Sequence, residues 1–179
     1  MNIHPLFIHF PIGLLIAYSL LEIVAYVSSH VRRAPWVFYT KAFMLFAGGL
    51  TALVTIVTGG IAEDIVRSTN PRAFIIDTHE PFAWATTLVY FILAGAYLVR
   101  ILDKNNWVHR NFGRRTFLMR WWGLKKFVAH LILDTWLLPL LALAGITGIT
   151  ITGALGAALV YGPSVDPIVS FIYSLFWPN

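Results

Sequence analysis

The chain has 179 residues, 58% of them hydrophobic and only 12% charged, and its mean hydropathy is +0.73. That composition excludes an ordinary soluble domain and describes an integral membrane protein. With no cysteine, disulfides, thiolate metal sites, iron–sulfur clusters and covalently attached c-type haem are excluded, so redox or metal chemistry must rest on histidine, carboxylates or a bound cofactor.

Four apolar runs, about residues 6–27, 38–62, 81–102 and 134–160, are each long enough to cross roughly 30 Å of hydrocarbon. They predict an all-α transmembrane four-helix bundle in which residues 1–179 form a single integral-membrane domain. The first run follows neither a basic region nor a small-residue cleavage site and reads as a retained helix rather than a signal peptide. The region around the fourth run is longer than one crossing needs. Pro139 is the expected kink there, because proline removes a backbone donor and crowds the preceding turn. An amphipathic segment, 117–127, is expected to lie along the interface before that crossing, and the tail 163–179, too short to span, on the interface after it.

The net charge of +5 is a topology signal. Arg32, Arg33 and Lys41 flank the first connection, while Arg100, Lys104, Arg110, Arg114, Arg115, Arg120, Lys125 and Lys126 crowd the third. The second connection has only Arg67 and Arg72, beside Glu63, Asp64, Asp77 and Glu80. This asymmetry predicts cytoplasmic basic loops, both termini on the periplasmic side, and a multi-pass protein of a bacterial inner membrane. Arg114-Arg115, Trp121-Trp122 and Lys125-Lys126 interleave cations with aromatics. Beside a membrane such a segment is expected to hold anionic lipid headgroups, not nucleic acid.

The same topology sorts the histidines. His4, His9 and His79 fall at the outer ends of the first and third spans; His30, His109 and His130 fall on the basic side. His9-Phe10-Pro11 and His79-Glu80-Pro81 each open a span, with proline tolerated in a first helical turn, so each histidine is expected at or just before a helix start. Two such hairpins related by an axis along the bilayer normal bring His9 and His79 to equivalent depths. Imidazoles facing one another across a four-helix bundle are the usual holders of b-type haem. His9 and His79 are therefore the expected axial ligands, with His4 as an alternative. A Zn or Cu site built from His4, His9 and His79 with Asp64 or Glu80 is the rival. Helical spacing puts His4 and His9 roughly 140° apart, so they cannot both point inward on one unbroken helix.

Three other features carry expectations. Glu22, in the inner half of the first span, has Lys41 as its natural partner, and an intramembrane ion pair is favoured over a proton relay. His130 and Asp134 share a helix face at i, i+4 and read as an interfacial hydrogen-bonded pair, with an inner-face haem or quinone site as the sharper alternative. Gly145, Gly148, Gly153 and Gly156 permit close approach of neighbouring helices.

The opening His4-Pro5-Leu6-Phe7-Ile8-His9-Phe10-Pro11-Ile12-Gly13 resembles the signature H-P-x-x-V-H-F-P-I of a family of small bacterial integral-membrane proteins catalogued as a domain of unknown function. The stretch Gly156-Ala157-Ala158-Leu159-Val160-Tyr161-Gly162-Pro163-Ser164-Val165 resembles its closing G-G-x-L-V-Y-x-H-G-V. Ala157 replaces a glycine, and Pro163 and Ser164 stand where the family commonly has His-Gly. The resemblance implies a four-helix membrane protein with an outer histidine cluster that binds haem or metal. The expected function is thus a b-type haem subunit carrying electrons near the outer face, not an enzyme on its own. Its expected partners are membrane lipids, other redox subunits, and a quinone or periplasmic electron carrier. A structural subunit of a larger complex and a His/carboxylate metal-binding protein are the alternatives.

Overall fold

The structure, a computed structural model, describes residues 7–113 and 115–178. Among them there is no strand, and four helices are long and apolar enough to cross a membrane. Helix α1, His9–Val27, ends at Ser28, whose hydroxyl accepts from the Val31 N–H and so starts the short α2, Ser29–Arg33. Pro35 then opens α3, Pro35–Thr69, with φ preset and no donor to waste. At 35 residues this helix exceeds the expected span at both ends, passing through Gly59 and Gly60 without a break.

A 3-10 turn, Ala73–Ile75, leads into α4, Ile76–Lys104. This corrects the expected start near residue 81. His79 lies inside the first turn of α4 rather than ahead of it, and Pro81 is accommodated within the helix. The short α5, Trp107–Phe112, and α6, Thr116–Leu133, carry the basic connection back to α7, Leu137–Tyr161. Pro139 is not a kink: it is the third residue of α7, where the first four N–H groups have no intrahelical acceptor to lose. The break falls instead at 134–136, where the Asp134 N–H closes α6 onto the His130 carbonyl and the Thr135 hydroxyl accepts from the Leu137 N–H.

At its far end α7 is stopped by Gly162, whose φ of 100° is a left-handed conformation that side-chain-bearing residues avoid. Asn70 and Arg72 donate to the exposed carbonyls of Leu159 and Val160, satisfying groups that apolar surroundings cannot. The tail forms α8, Pro167–Phe176, capped by Asp166 and packed on α7 through Val169 and Ile172.

Helices α1 and α4 each pack on α3 and α7 and stand on the diagonal of the bundle. Their registry is parallel: Ser19 meets Tyr90, 71 residues on, and Glu22 meets Tyr97, 75 residues on. Tyr18, Tyr90 and Tyr97 fill the diagonal in edge-to-face contact, while Phe43, Leu50, Val57 and Leu88 are exposed as a lipid-facing exterior requires. Tyr90 needs room on α7, and Gly145 provides it: a Cβ there would lie 2.6 Å from Tyr90 Cζ. Gly145→Ala should therefore cost about 1–3 kcal/mol in detergent unfolding. At Gly153, where a Cβ meets nothing within 4 Å, alanine should be neutral or stabilising by up to about 1 kcal/mol.

Candidate functional site

The end of the bundle that carries the basic connections holds a polar site. Glu22 on α1 is buried, with 3% of its side chain exposed, and receives Lys41 Nζ of α3 at 2.7 Å. Tyr97 of α4 donates to the other carboxylate oxygen at 2.9 Å. One carboxylate thus joins three spans. The Tyr18 hydroxyl, one turn before Glu22, is buried without a hydrogen bond of ordinary geometry among the described residues, yet lies in the field of that carboxylate. Phe38 stacks on Tyr97 with ring centroids 5.2 Å apart, and Lys104 Nζ sits 4.2 Å from the Phe38 ring centre.

One turn nearer the end, Arg100 of α4 pairs with Asp134 at the break between α6 and α7, and His130 Nδ1 approaches the same Asp134 oxygen at 2.5 Å. Asp103 below takes Lys126 at 3.3 Å and the Trp122 indole N–H at 3.4 Å. Burial alone would raise the Asp134 pKa, but hydrogen bonds from Arg100 and His130 outweigh it and hold the carboxyl below its ordinary 3.8.

The two clusters bound a cavity of about 530 Å³, lined by Glu22, Lys41, Tyr97, Phe38, Arg100 and Asp134, with exposed Arg32 and Trp136 at its rim. A second hollow of about 470 Å³ lies between α4 and α6 and shares Arg100 and Asp134. That ion pair is the wall between them. The expected pairing of Glu22 with Lys41, and of His130 with Asp134, is found. Tyr97 and Arg100 are site residues that the sequence reading missed. The seven-residue spacing of Tyr90 and Tyr97 was the available signal, since it keeps both rings on one stripe of α4.

The histidine end is arranged differently from expectation. The α1–α4 registry puts His9 and His79, 70 residues apart, at comparable depth. They do not face each other. His9 is exposed, nine residues and so about 180° from buried Tyr18. His79 is half-buried and turned to α7, its Nδ1 3.0 Å from the Thr152 carbonyl and its ring against Gly156. As placed, the pair does not fit axial ligation of one haem. Asp64 and Glu80 are exposed, and no group of three or more metal-ligating side chains forms among the described residues, so the expected Zn or Cu set is not assembled there. Arg67 instead spans Glu63 and Asp77, each at 2.7 Å. His4 lies outside the described residues.

A family model described as a predicted membrane protein (DUF2231) matches residues 1–166, and the chain belongs to that family. No curated protein and no solved structure matches it.

Because the folded pKa of Asp134 is lowered, its contribution to stability is present above pH 3.8 and is lost as pH falls through the lower folded value. The stability gap between wild type and Asp134→Asn should accordingly be largest at neutral pH and close on acidification below 3.8, as read by thermal unfolding in detergent at a series of pH values.

Proposed function

We propose that this chain is a membrane subunit that binds a small amphiphile in the cavity at its basic end. The observation that carries this reading is the cavity itself. Its volume is that of a small-molecule site, and its walls combine apolar side chains such as Ala25, Val37, Phe38, Leu133 and Leu138 with the charged groups of Glu22, Lys41, Arg100 and Asp134. The polar floor is held by three spans at once, so a ligand meets fixed donors rather than mobile side chains. Trp136, which is exposed, and Leu138 are also in the lining, and an alkyl tail would leave past them. In bilayers, a diazirine-bearing alkyl alcohol should label the 133–138 segment saturably, and Ala25→Trp, which fills the cavity from α1, should lower that labelling about tenfold. Non-saturable labelling spread over all lipid-facing residues contradicts the reading.

A second reading, favoured by one observation, keeps a b-type haem at the histidine end with His79 as a ligand. A backbone carbonyl on Nδ1 is how metal-ligating imidazoles are commonly oriented, and the Thr152 hydroxyl beside it is buried without a partner among the described residues. When bound, haem would supply one-electron redox chemistry. The second imidazole would come from His9, which is exposed, or from His4, which lies outside the described residues. A reduced-minus-oxidised spectrum should show a b-type band that is lost in His79→Ala and in one of His4→Ala and His9→Ala. No band from haem-loaded material removes this reading.

A further inference from the structure

Resting on the amphiphile site just proposed, the charges of its lining narrow the ligand. Three cations, Arg32, Lys41 and Arg100, and two carboxylates, Glu22 and Asp134, line the cavity. Lys41 is bound to Glu22 and Arg100 to Asp134, so these four charges cancel in pairs. Arg32 is left over. It is exposed on α2 and has no ion-pair partner among the described residues. The cavity thus carries one uncompensated positive charge, at its rim rather than on its floor.

The depth of that charge is marked by aromatic side chains. Arg32 lies past the end of α1 at Val27, well beyond the Glu22 floor. Tyr26 and Trp136 are exposed lining residues, and Trp36 and Tyr39 are exposed at the start of α3, at the same end of the bundle. Tryptophan and tyrosine gather where hydrocarbon meets headgroups. A guanidinium at that level stands among lipid phosphates, whose oxygens match its fork of donors.

Asp134 adds a second requirement. Its contacts with Arg100 and His130 both fall on Oδ2, so Oδ1 bears no hydrogen bond among the described residues and can accept one. A fatty-acid carboxylate brings no donor to it. A glycerol headgroup brings hydroxyls.

We infer that the ligand is an anionic phospholipid of the phosphatidylglycerol type. Arg32 holds the phosphodiester, whose single negative charge matches the one unpaired cation of the lining, and a headgroup hydroxyl donates to Asp134 Oδ1. The acyl chains leave past Trp136 and Leu138. Lys41 and Arg100 stay with their carboxylates, so binding strands no buried charge.

The full-length chain in phosphatidylcholine nanodiscs provides the test, with trace phosphatidylglycerol or phosphatidylcholine carrying a diazirine in one acyl chain and labelling of the 133–138 segment as the readout. The phosphatidylglycerol tracer should label about tenfold more than the phosphatidylcholine tracer, and unlabelled phosphatidylglycerol should suppress it saturably. Arg32→Gln, which removes no contact within the protein, should abolish that preference, whereas Arg33→Gln, the same charge change on a neighbour outside the lining, should keep it. Laurate should not displace the tracer. Equal, saturable labelling by both lipids, or displacement by laurate as readily as by phosphatidylglycerol, overturns the assignment and leaves the amphiphile site standing. Equal losses in Arg32→Gln and Arg33→Gln mark diffuse attraction to a basic surface and overturn the assignment. If neither lipid labels saturably, the phospholipid is overturned, and the alkyl alcohol decides the amphiphile site separately.

Discussion

A carboxylate and an ammonium in contact inside hydrocarbon constrain everything around them. Neither charge is tolerable alone there, since desolvation costs several kcal/mol per ion after relaxation. Glu22 and Lys41 are held together at 2.7 Å, and the pair fixes α1 against α3. Tyr97 closes the third side by satisfying the remaining carboxylate oxygen and brings α4 into the same arrangement. The registry of the diagonal helices, the tyrosine ladder between them and the position of the cavity follow from that junction.

The two ends of the bundle then diverge. At the histidine end, among the described residues, α8 packs on α7 and Asn70 and Arg72 donate to its last carbonyls. At the basic end the chain bends at 134–136 instead of continuing as one helix. α6 therefore lies against α4, leaving a hollow on each side of the Arg100 and Asp134 contact. At the basic end, space for a ligand arises where the chain turns.

Much of this was legible in the sequence. Twenty-residue apolar runs report the spans directly, because the thickness of hydrocarbon sets their length. The partners Glu22 and Lys41 were identifiable because few charges occur within the spans. Boundaries were less legible: α3 and α4 extend past the apolar runs because polar residues such as Glu63, Arg67 and Asp77 continue a helix in water as readily as leucine does in lipid. Pro139 misled, since its effect depends on whether a bonded N–H was there to lose. His9 misled for a different reason. Spacing gives a residue's angle only relative to a known inward face, and that face is set by Leu15, Tyr18 and Glu22. Arg100 could not be found from the chain alone, because its partner comes from a bend 34 residues away.

The bundle thus depends on a desolvated ion pair rather than on two charges that happen to be near each other. The coupling free energy between positions 22 and 41, from reversible unfolding of Glu22→Leu, Lys41→Met and the double variant in mild detergent, tests this most directly. Each single change should cost about 3–5 kcal/mol by stranding its buried partner, and the double change far less. Single losses below about 1 kcal/mol that simply add would mean a solvated pair, and the junction of α1, α3 and α4 would then have to be held by something other than Glu22 and Lys41.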